Sequence, residues 1–346
     1  MTISDLSERQ RRVLRAIVEE YIATAEPVGS RTISRHHVRD ASPATIRNDM
    51  ADLEEMGLLE QPHTSAGRVP SDAGYRYYVD AIVETGPLPE AQVRLVEQVL
   101  GGRMSEAAAL IHSAAHVLSE TSSLISIVLG PQVAPASLVR VEVSHVGHGR
   151  AVLILFADAG FVETKLVELP ESLDPARLRQ VVELINDCLG SQTWERLSRP
   201  SVLRDLRRQL RGYEAALDDT LEFLKSSLEP VASQRVYISG LARVLDLPEF
   251  RNVERTKAIL AILDREHAVS EMLRERLPAG VAVTIGRENS RREMVDCSLV
   301  SAPYSVGGRA LGGVAVLGPK RMDYRLLLPL VGLVAEQLNE ALERLA

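Results

Sequence analysis

The chain has 346 residues, of which 45% are hydrophobic, and carries a formal charge of −7 with a pI near 5.7. This length and hydrophobic content suit two or three packed domains and exclude a disordered chain. The acidic balance excludes a protein that coats nucleic acid through general positive charge, but it excludes no specific partner. Cys188 and Cys297 lie far apart without paired spacing, so we expect neither a zinc knuckle nor a disulfide framework, and a reducing compartment fits.

Membrane contact is not expected. The N-terminus has no apolar signal segment, and the longest late apolar run, residues 326–335, is too short to span a bilayer. We therefore expect a cytoplasmic protein in which this run forms a buried helix.

The first 80 residues predict a winged helix-turn-helix. Ser7 and Gln10 have the spacing of a capping box and precede an apolar helical face that runs from Val13 to Ile22. A short helix then begins at Ser30, and after a tight turn a third helix is capped by Ser42, with Pro43 at its first position. The order of helix, short helix, turn and capped helix is typical of the helix-turn-helix.

A small hairpin, or wing, is predicted after the third helix, around the turn at residues 65–67, and another helix follows from Ser71. In such a unit the N-terminal residues of the third helix enter the major groove, and the second helix contacts the backbone. Asn can bind adenine and Arg can bind guanine bidentately, so Asn48 and Arg47 are the candidates for base contacts. The other candidate DNA-binding residues are Ala44 and Thr45 near the groove floor, Ser30, Arg31 and Thr32 at phosphates, and His63, Thr64, Ser65 and Arg68 in the wing.

The charge of this segment also leaves another interpretation open. Residues 1–80 contain 10 Arg, no Lys and 13 Asp or Glu, a net charge of −3, so the electrostatic signature of DNA binding is missing from the sum. Between Gly29 and Asn48 there are four Arg and one acid, which favours DNA only modestly. A winged helix used for protein contacts remains the alternative.

Residues 85–90, TGPLPE, predict a linker. Beyond it we expect helices at 90–100 and 105–119 and strands at 124–129, 138–146, 152–156 and 162–167. Val139, Val141 and Val143 alternate with polar residues, which predicts a sheet with one polar face. A helix from Pro175, strands at 281–285, 298–305 and 313–317 and a helix from about Tyr324 complete a sheet flanked by helices.

A leucine-rich segment predicts a helix that needs a partner. Its apolar residues are spaced three or four apart, close to a heptad seam: Leu203, Leu206, Leu210, Tyr213, Leu217, Leu221, Leu224 and Leu228. Dimerisation through this seam would match a palindromic DNA site. The alternative is an amphipathic helix packed within its own subunit.

No catalytic or metal-binding motif is found. His112 and His116 are four residues apart, but Ser113 follows His112, so the HExxH zinc motif is absent. The glycines near 307–318 lack P-loop spacing, and no local motif identifies a nucleophile. We expect no enzyme, no cofactor and no metal, although a triad could still be assembled from distant residues.

Four stretches resemble the bacterial heat-inducible transcription repressor HrcA family. They are EPVGSRTIS from Glu26, SPATIRNDMADLEEMGLLEQPHTSAGRVPSDAGYRYYVD from Ser42, IGREN from Ile285 and SLVSAPYSVGGRALGGVAVLGPKRMDY from Ser298. The resemblance extends in order through nearly the whole chain.

This resemblance implies a homodimeric repressor that binds double-stranded DNA at an inverted repeat, the CIRCE element, upstream of chaperone operons of the GroEL and DnaK type. It also implies that the GroEL chaperonin modulates activity. The implied fold is α+β and multidomain, with a winged helix-turn-helix at 1–84, a GAF-like domain in two segments, 90–192 and 252–346, and a helical dimerising insertion at 193–251. Because GAF-like domains often bind small molecules, a ligand-sensing regulator is a further alternative.

Overall fold

The computed structural model describes residues 6–63, 66–102, 107–130, 138–147, 149–157, 162–168, 175–189, 204, 208, 236–275, 280–306 and 309–345. The helices are α1 (Glu8–Thr24), α2 (Ser30–His36), α3 (Pro43–Glu55), α4 (Asp72–Tyr77), α5 (Glu90–Leu100), α6 (Ala107–Ser122), α7 (Pro175–Leu189), α8 (Val253–Leu263), α9 (Glu266–Arg274) and α10 (Tyr324–Glu343). The strands are β1 (Leu59–Glu60), β2 (Val69–Pro70), β3 (Ile125–Leu129), β4 (Leu138–Gly147), β5 (Arg150–Ala157), β6 (Val162–Glu168), β7 (Val236–Ser239), β8 (Ala282–Ile285), β9 (Cys297–Val306) and β10 (Arg309–Pro319).

The N-terminal unit consists of α1 to α4 with the hairpin of β1 and β2. The predicted capping box starts α1: the Gln10 amide donates to Ser7 Oγ at 3.2 Å, and the Ser7 amide donates to Gln10 Oε1 at 3.0 Å. Apolar side chains of the three-helix core, among them Ile17, Ile46 and Leu53, are fully buried. After α4 the chain makes a π-helical turn (Tyr78–Ile82), and residues 83–89 form neither helix nor strand, as the predicted linker requires.

A five-stranded antiparallel sheet forms the centre of the second unit. Its strand order is β7-β3-β10-β9-β8. The helices α6 and α10 cover one face, where Val128 and Val316 pack with Leu330. The helices α8 and α9 cover the other face, where Ile127 packs with Leu273. The sheet is therefore buried on both sides.

The late apolar run forms part of α10, as expected. Leu327, Leu330, Val331 and Val334 are buried against the sheet, although Pro329 lies inside the helix. Among the described residues, no helix is both long and apolar enough to cross a membrane.

From the sequence we expected the strands between 138 and 168 to belong to the same sheet as the later strands. This expectation is wrong. These strands form a separate three-stranded sheet of order β4-β5-β6. One face is covered by α7, whose Asn186 side chain accepts from the Val141 amide at 2.8 Å and donates to the Val141 carbonyl at 2.7 Å. Alternation of apolar and polar residues identifies strands with one buried face, but it does not say which strands pair.

The expected insertion at 193–251 also needs correction at its C-terminal end. β7 lies within that range, yet it pairs with β3 in the five-stranded sheet, with Ile238 opposite Ile127. The predicted seam, from Leu203 to Leu228, lies outside the described residues apart from positions 204 and 208, which are helical.

Candidate nucleic-acid interface

The helix α3 begins as its sequence predicts. Ser42 is the N-cap, and its Oγ accepts from the Thr45 amide at 3.1 Å, while Pro43 occupies the first turn. The hydroxyl groups of Ser42 and Thr45 are also 2.9 Å apart. Thr45 is half-buried and engaged at the cap, which leaves it less free than its neighbours to contact a ligand.

The outward face of α3 carries the residues that were expected to read bases. Ala44, Arg47 and Asn48 are exposed, whereas Ile46, Met50 and Leu53 are buried. The small Ala44 leaves room for close approach, and the guanidinium and amide groups can form the paired hydrogen bonds that base edges require.

A buried acidic residue, Asp49, lies next to this face and was not identified from the sequence as a structural residue. The side chain of Asp49 is only 4% exposed and accepts two hydrogen bonds from Arg9, from Nε at 2.7 Å and from Nη2 at 3.0 Å. Since Asp49 follows Ile46 by three positions, it falls on the apolar side of α3, and this spacing could have identified it. The pair holds α1 against α3.

Two further contacts join the first turns of α1 to the recognition segment. Gln10 Nε2 donates to Asp52 at 3.2 Å, and Arg12 forms two hydrogen bonds with Asp40, at 2.9 and 2.7 Å. The hydrogen bonds from Arg12 hold the pKa of the Asp40 carboxyl below its usual value. α1 therefore fixes α3 and the turn that precedes it.

The wing is held against the segment before α2. The amides of Val28 and Arg68 each donate to the other residue's carbonyl at 2.9 Å. Gly67 makes this approach possible, because a Cβ at that position would lie 2.4 Å from the Val28 carbonyl oxygen. The exposed His63 begins the wing loop, and Thr64 and Ser65 lie outside the described residues.

Two of the residues expected at the DNA backbone are less available than the sequence suggested. Ser30 is 8% exposed, so its side chain has little surface to offer a phosphate. Arg68 is half-buried and paired with Glu54, with Nη2 at 2.7 Å and Nε at 2.9 Å from the same oxygen. Arg31 is exposed and Thr32 half-buried, which leaves Arg31 the more accessible of the two.

Ion pairs within the winged helix neutralise several of its acids but leave a group of its arginines exposed. The acids Asp40, Asp49 and Glu54 are bound by arginines of α1 and the wing. In contrast, the four arginines between Gly29 and Asn48 are all exposed and form no ion pair with an acid in the described residues: Arg31, Arg35, Arg39 and Arg47. A segment with net negative charge thus presents unpaired positive charge around the start of α3. Sequence reasoning did not single out Arg35 and Arg39.

The two histidines considered as a metal pair have ordinary surroundings. His116 lies 3.7 Å from Glu120, and the His112 ring packs edge-on against Tyr237, with the centroids 6.4 Å apart. In the described ranges, no cluster of three or more His, Cys, Asp or Glu residues is arranged to hold a metal ion.

Comparison with known proteins agrees with this geometry. Residues 5–79 match the family model for the winged helix-turn-helix transcription repressor, HrcA DNA-binding, and residues 108–327 match the model for the HrcA protein C terminal domain. The heat-inducible transcription repressor HrcA of Symbiobacterium thermophilum is 43% identical over 336 residues, which covers 97% of this chain and 98% of that protein. The protein of the same name from Desulforamulus reducens is 36% identical over 343 residues, with 98% of each chain covered.

A crystal structure of a hypothetical protein at 2.2 Å resolution has a similar fold. It covers 99% of this chain and 100% of its own, with a TM-score of 0.64 and 22% sequence identity. At this identity the likeness concerns the fold alone.

The winged helix and these matches define a DNA-binding transcription repressor. The relatives that this chain matches are DNA-binding regulators and not enzymes. The chain belongs to the heat-inducible transcription repressor HrcA family.

Proposed function

We propose that the protein represses chaperone operons of the GroEL and DnaK type by binding CIRCE, an inverted repeat, as a homodimer in the cytoplasm. One observation carries this proposal: the four arginines between Gly29 and Asn48 are exposed and form no ion pair within the part of the chain that the structure describes, whereas nearby acids are bound internally. Phosphate neutralisation by arginine supplies much of the affinity of a protein for DNA, and the exposed Arg47 and Asn48 can supply base readout.

Each exposed residue of the interface then has a definite role. Arg47 and Asn48 contact base edges in the major groove, and Ala44 and Thr45 lie near its floor. Arg31, Arg35 and Arg39 neutralise phosphates beside α2 and the turn, and the wing tip, His63 to Ser65, follows the backbone or the minor groove. Arg68 would reach DNA only by leaving Glu54, so its role is to hold the wing on α3.

In our proposal the second unit forms the dimer interface. We infer a GAF-like domain formed by the five-stranded sheet and its helices. We also infer a dimerising insertion that begins before β4 and ends before β7, because β4 to β6 form their own sheet and β7 returns to the larger one. Leu203, Leu206, Leu210, Leu217 and Leu221 supply the seam. Replacing Leu210 and Leu217 with aspartate should give monomers in sedimentation equilibrium, and a dimer that survived both changes would move the interface elsewhere.

The GroEL chaperonin modulates this activity in our proposal. When the chaperonin is free it keeps the repressor competent, and unfolded proteins produced by heat compete for it, so the population of active repressor falls. Support for this step comes from family membership.

Fluorescence anisotropy tests the function directly. The purified protein is titrated against a labelled CIRCE-type inverted repeat and against a shuffled duplex of equal length, over a salt series, with and without GroEL. We expect binding to the repeat to survive at salt concentrations that release the shuffled duplex, because only base contacts are insensitive to counterion release. Equal binding to both duplexes in the presence of chaperonin would contradict sequence readout, and an occupancy unchanged by chaperonin would remove that step alone.

A further inference from the structure

Three stretches that carry the family resemblance meet in the structure, although they are far apart in sequence. They are SDAGYRYYVD from Ser71, IGREN from Ile285 and GPKRMDY from Gly318. Together they join α4 to the edge of the five-stranded sheet and to the turn before α10. We use the term domain junction for the side chains of Asp72, Arg76, Glu288, Lys320 and Arg321.

The helix α4 carries one negatively charged and one positively charged side chain, one helical turn apart, that face the second unit. Asp72 accepts from Lys320 Nζ at 2.6 Å and from the Arg287 amide at 3.0 Å. Arg76 binds both oxygens of Glu288, with Nε at 2.8 Å from Oε1. A slip of α4 by one turn would place Arg76 against Lys320, so the alternation of charge selects one register.

The junction also completes an edge of the sheet. β8 is an edge strand, and Arg76 Nη2 donates to its Val283 carbonyl at 2.7 Å. Glu288, the carboxylate that binds Arg76, accepts from the Ile285 amide at 2.8 Å. The winged helix thus satisfies backbone and side-chain groups that would otherwise face water at this edge.

A second attachment lies at the end of α1. Arg321 Nη1 donates to the Ile22 carbonyl at 3.2 Å, and the same guanidinium binds Glu249. Between the two attachments the buried rings of Tyr75 and Tyr324 pack with centroids 6.1 Å apart. Contacts at two separate points oppose both rotation and tilt of the winged helix, which the covalent linker at 83–89 alone would leave free.

We propose that the domain junction positions the winged helix so that the dimer accepts one separation of operator half-sites. This inference rests on the proposed function, because it requires a dimer on an inverted repeat. Each base pair added between half-sites turns one of them by about 35° and moves it by about 3.4 Å. A rigidly held pair of recognition helices cannot follow that change, whereas helices on free linkers can.

The test is a spacer scan with the full-length protein. Affinities are measured by anisotropy for inverted repeats whose half-site separation varies in single base pairs, and for a single half-site. The variant is Arg76→Met with Lys320→Met, which removes the charged contacts and keeps the aliphatic stems. Glu288→Gln is a second, nearly isosteric variant should the first fail to fold, as judged by circular dichroism. Arg94→Met is the matched control, because Arg94 pairs with Glu90 on the exposed surface of α5.

For the wild type and Arg94→Met, we expect affinity to fall about tenfold or more when the optimal separation changes by one or two base pairs, as for the loss of a base contact. For the junction variant, the same change in separation should lower the affinity less than about threefold, and the affinity for the single half-site should stay as in the wild type. General destabilisation would not produce this pattern. A junction variant with the wild-type spacer profile would overturn the proposal. So would a variant that bound every repeat more tightly, because the junction would then oppose binding. A wild type that bound the repeat no better than a half-site would overturn the proposed function as well.

Discussion

Replacing Gly67 with alanine tests how firmly the wing is attached to the DNA-binding unit. The new Cβ would lie 2.4 Å from the Val28 carbonyl oxygen and 2.8 Å from the Pro27 carbonyl carbon. These are backbone atoms that cannot rotate away, so the wing must shift and the two 2.9 Å hydrogen bonds between Val28 and Arg68 must lengthen or break. At about 1 kcal/mol for each bond, the wing loses roughly 2 kcal/mol of local stability.

Hydrogen exchange measured by mass spectrometry provides the assay. A loss of roughly 2 kcal/mol corresponds to about a thirtyfold faster exchange of the Val28 and Arg68 amides. Gly29→Ala is the matched control, because no atom lies within 4 Å of a Cβ at Gly29 and its φ of −93° suits alanine. Equal protection of both amides in the two variants would refute the reasoning that close backbone approach holds the wing.

The remaining predictions concern the interface and the buried thiol. Asn48→Ala should lower specific affinity by roughly 1–3 kcal/mol and relax the preference at one position of each half-site, which binding to a panel of single-base operator variants measures. If the preference stayed intact, the assigned orientation of α3 in the groove would be incorrect. Arg35→Ala should weaken binding to all duplexes alike and reduce the slope of log affinity against log salt by about 1, whereas Arg94→Ala should leave the slope unchanged. Cys297 is fully buried, and burial raises its pKa to about 12, so in a Cys188→Ser background a thiol reagent at pH 8 should label it only after denaturation. Rapid labelling of the native protein would contradict this.

Local features of the fold could be predicted from the sequence. The predicted caps at Ser7 and Ser42 are confirmed, because each depends on a hydroxyl group and an amide three residues later. The helix expected from Ser71 is also present, with Ser71 as its N-cap. The strand at β3 and the helix α10 also agree with their predicted positions, since strong apolar periodicity determines them.

Pairing between distant segments could not be predicted. Ile238 lies opposite Ile127 across 111 residues of sequence, and nothing local distinguishes that pairing from a place in the insertion. The burial of Ser30 and the bond between Arg68 and Glu54 likewise depend on how α2, α3 and the wing pack. At the candidate interface, the helix and its outward face could be predicted, and spacing could have shown that Asp49 is buried, whereas the arginines that bind Asp49 and Glu54 could not be predicted.

The separation of charge within the winged helix bears on how the repressor searches a genome. The whole molecule carries a net charge of −7, yet the segment from Gly29 to Asn48 has four exposed arginines that form no ion pair within the described residues. Such a charge distribution repels DNA from most approach directions and attracts it to one face, so encounters are oriented before any base is read. Long-range repulsion also shortens the residence time on unrelated sequence, because few phosphates are neutralised there. The protein therefore spends less of its time on unrelated DNA.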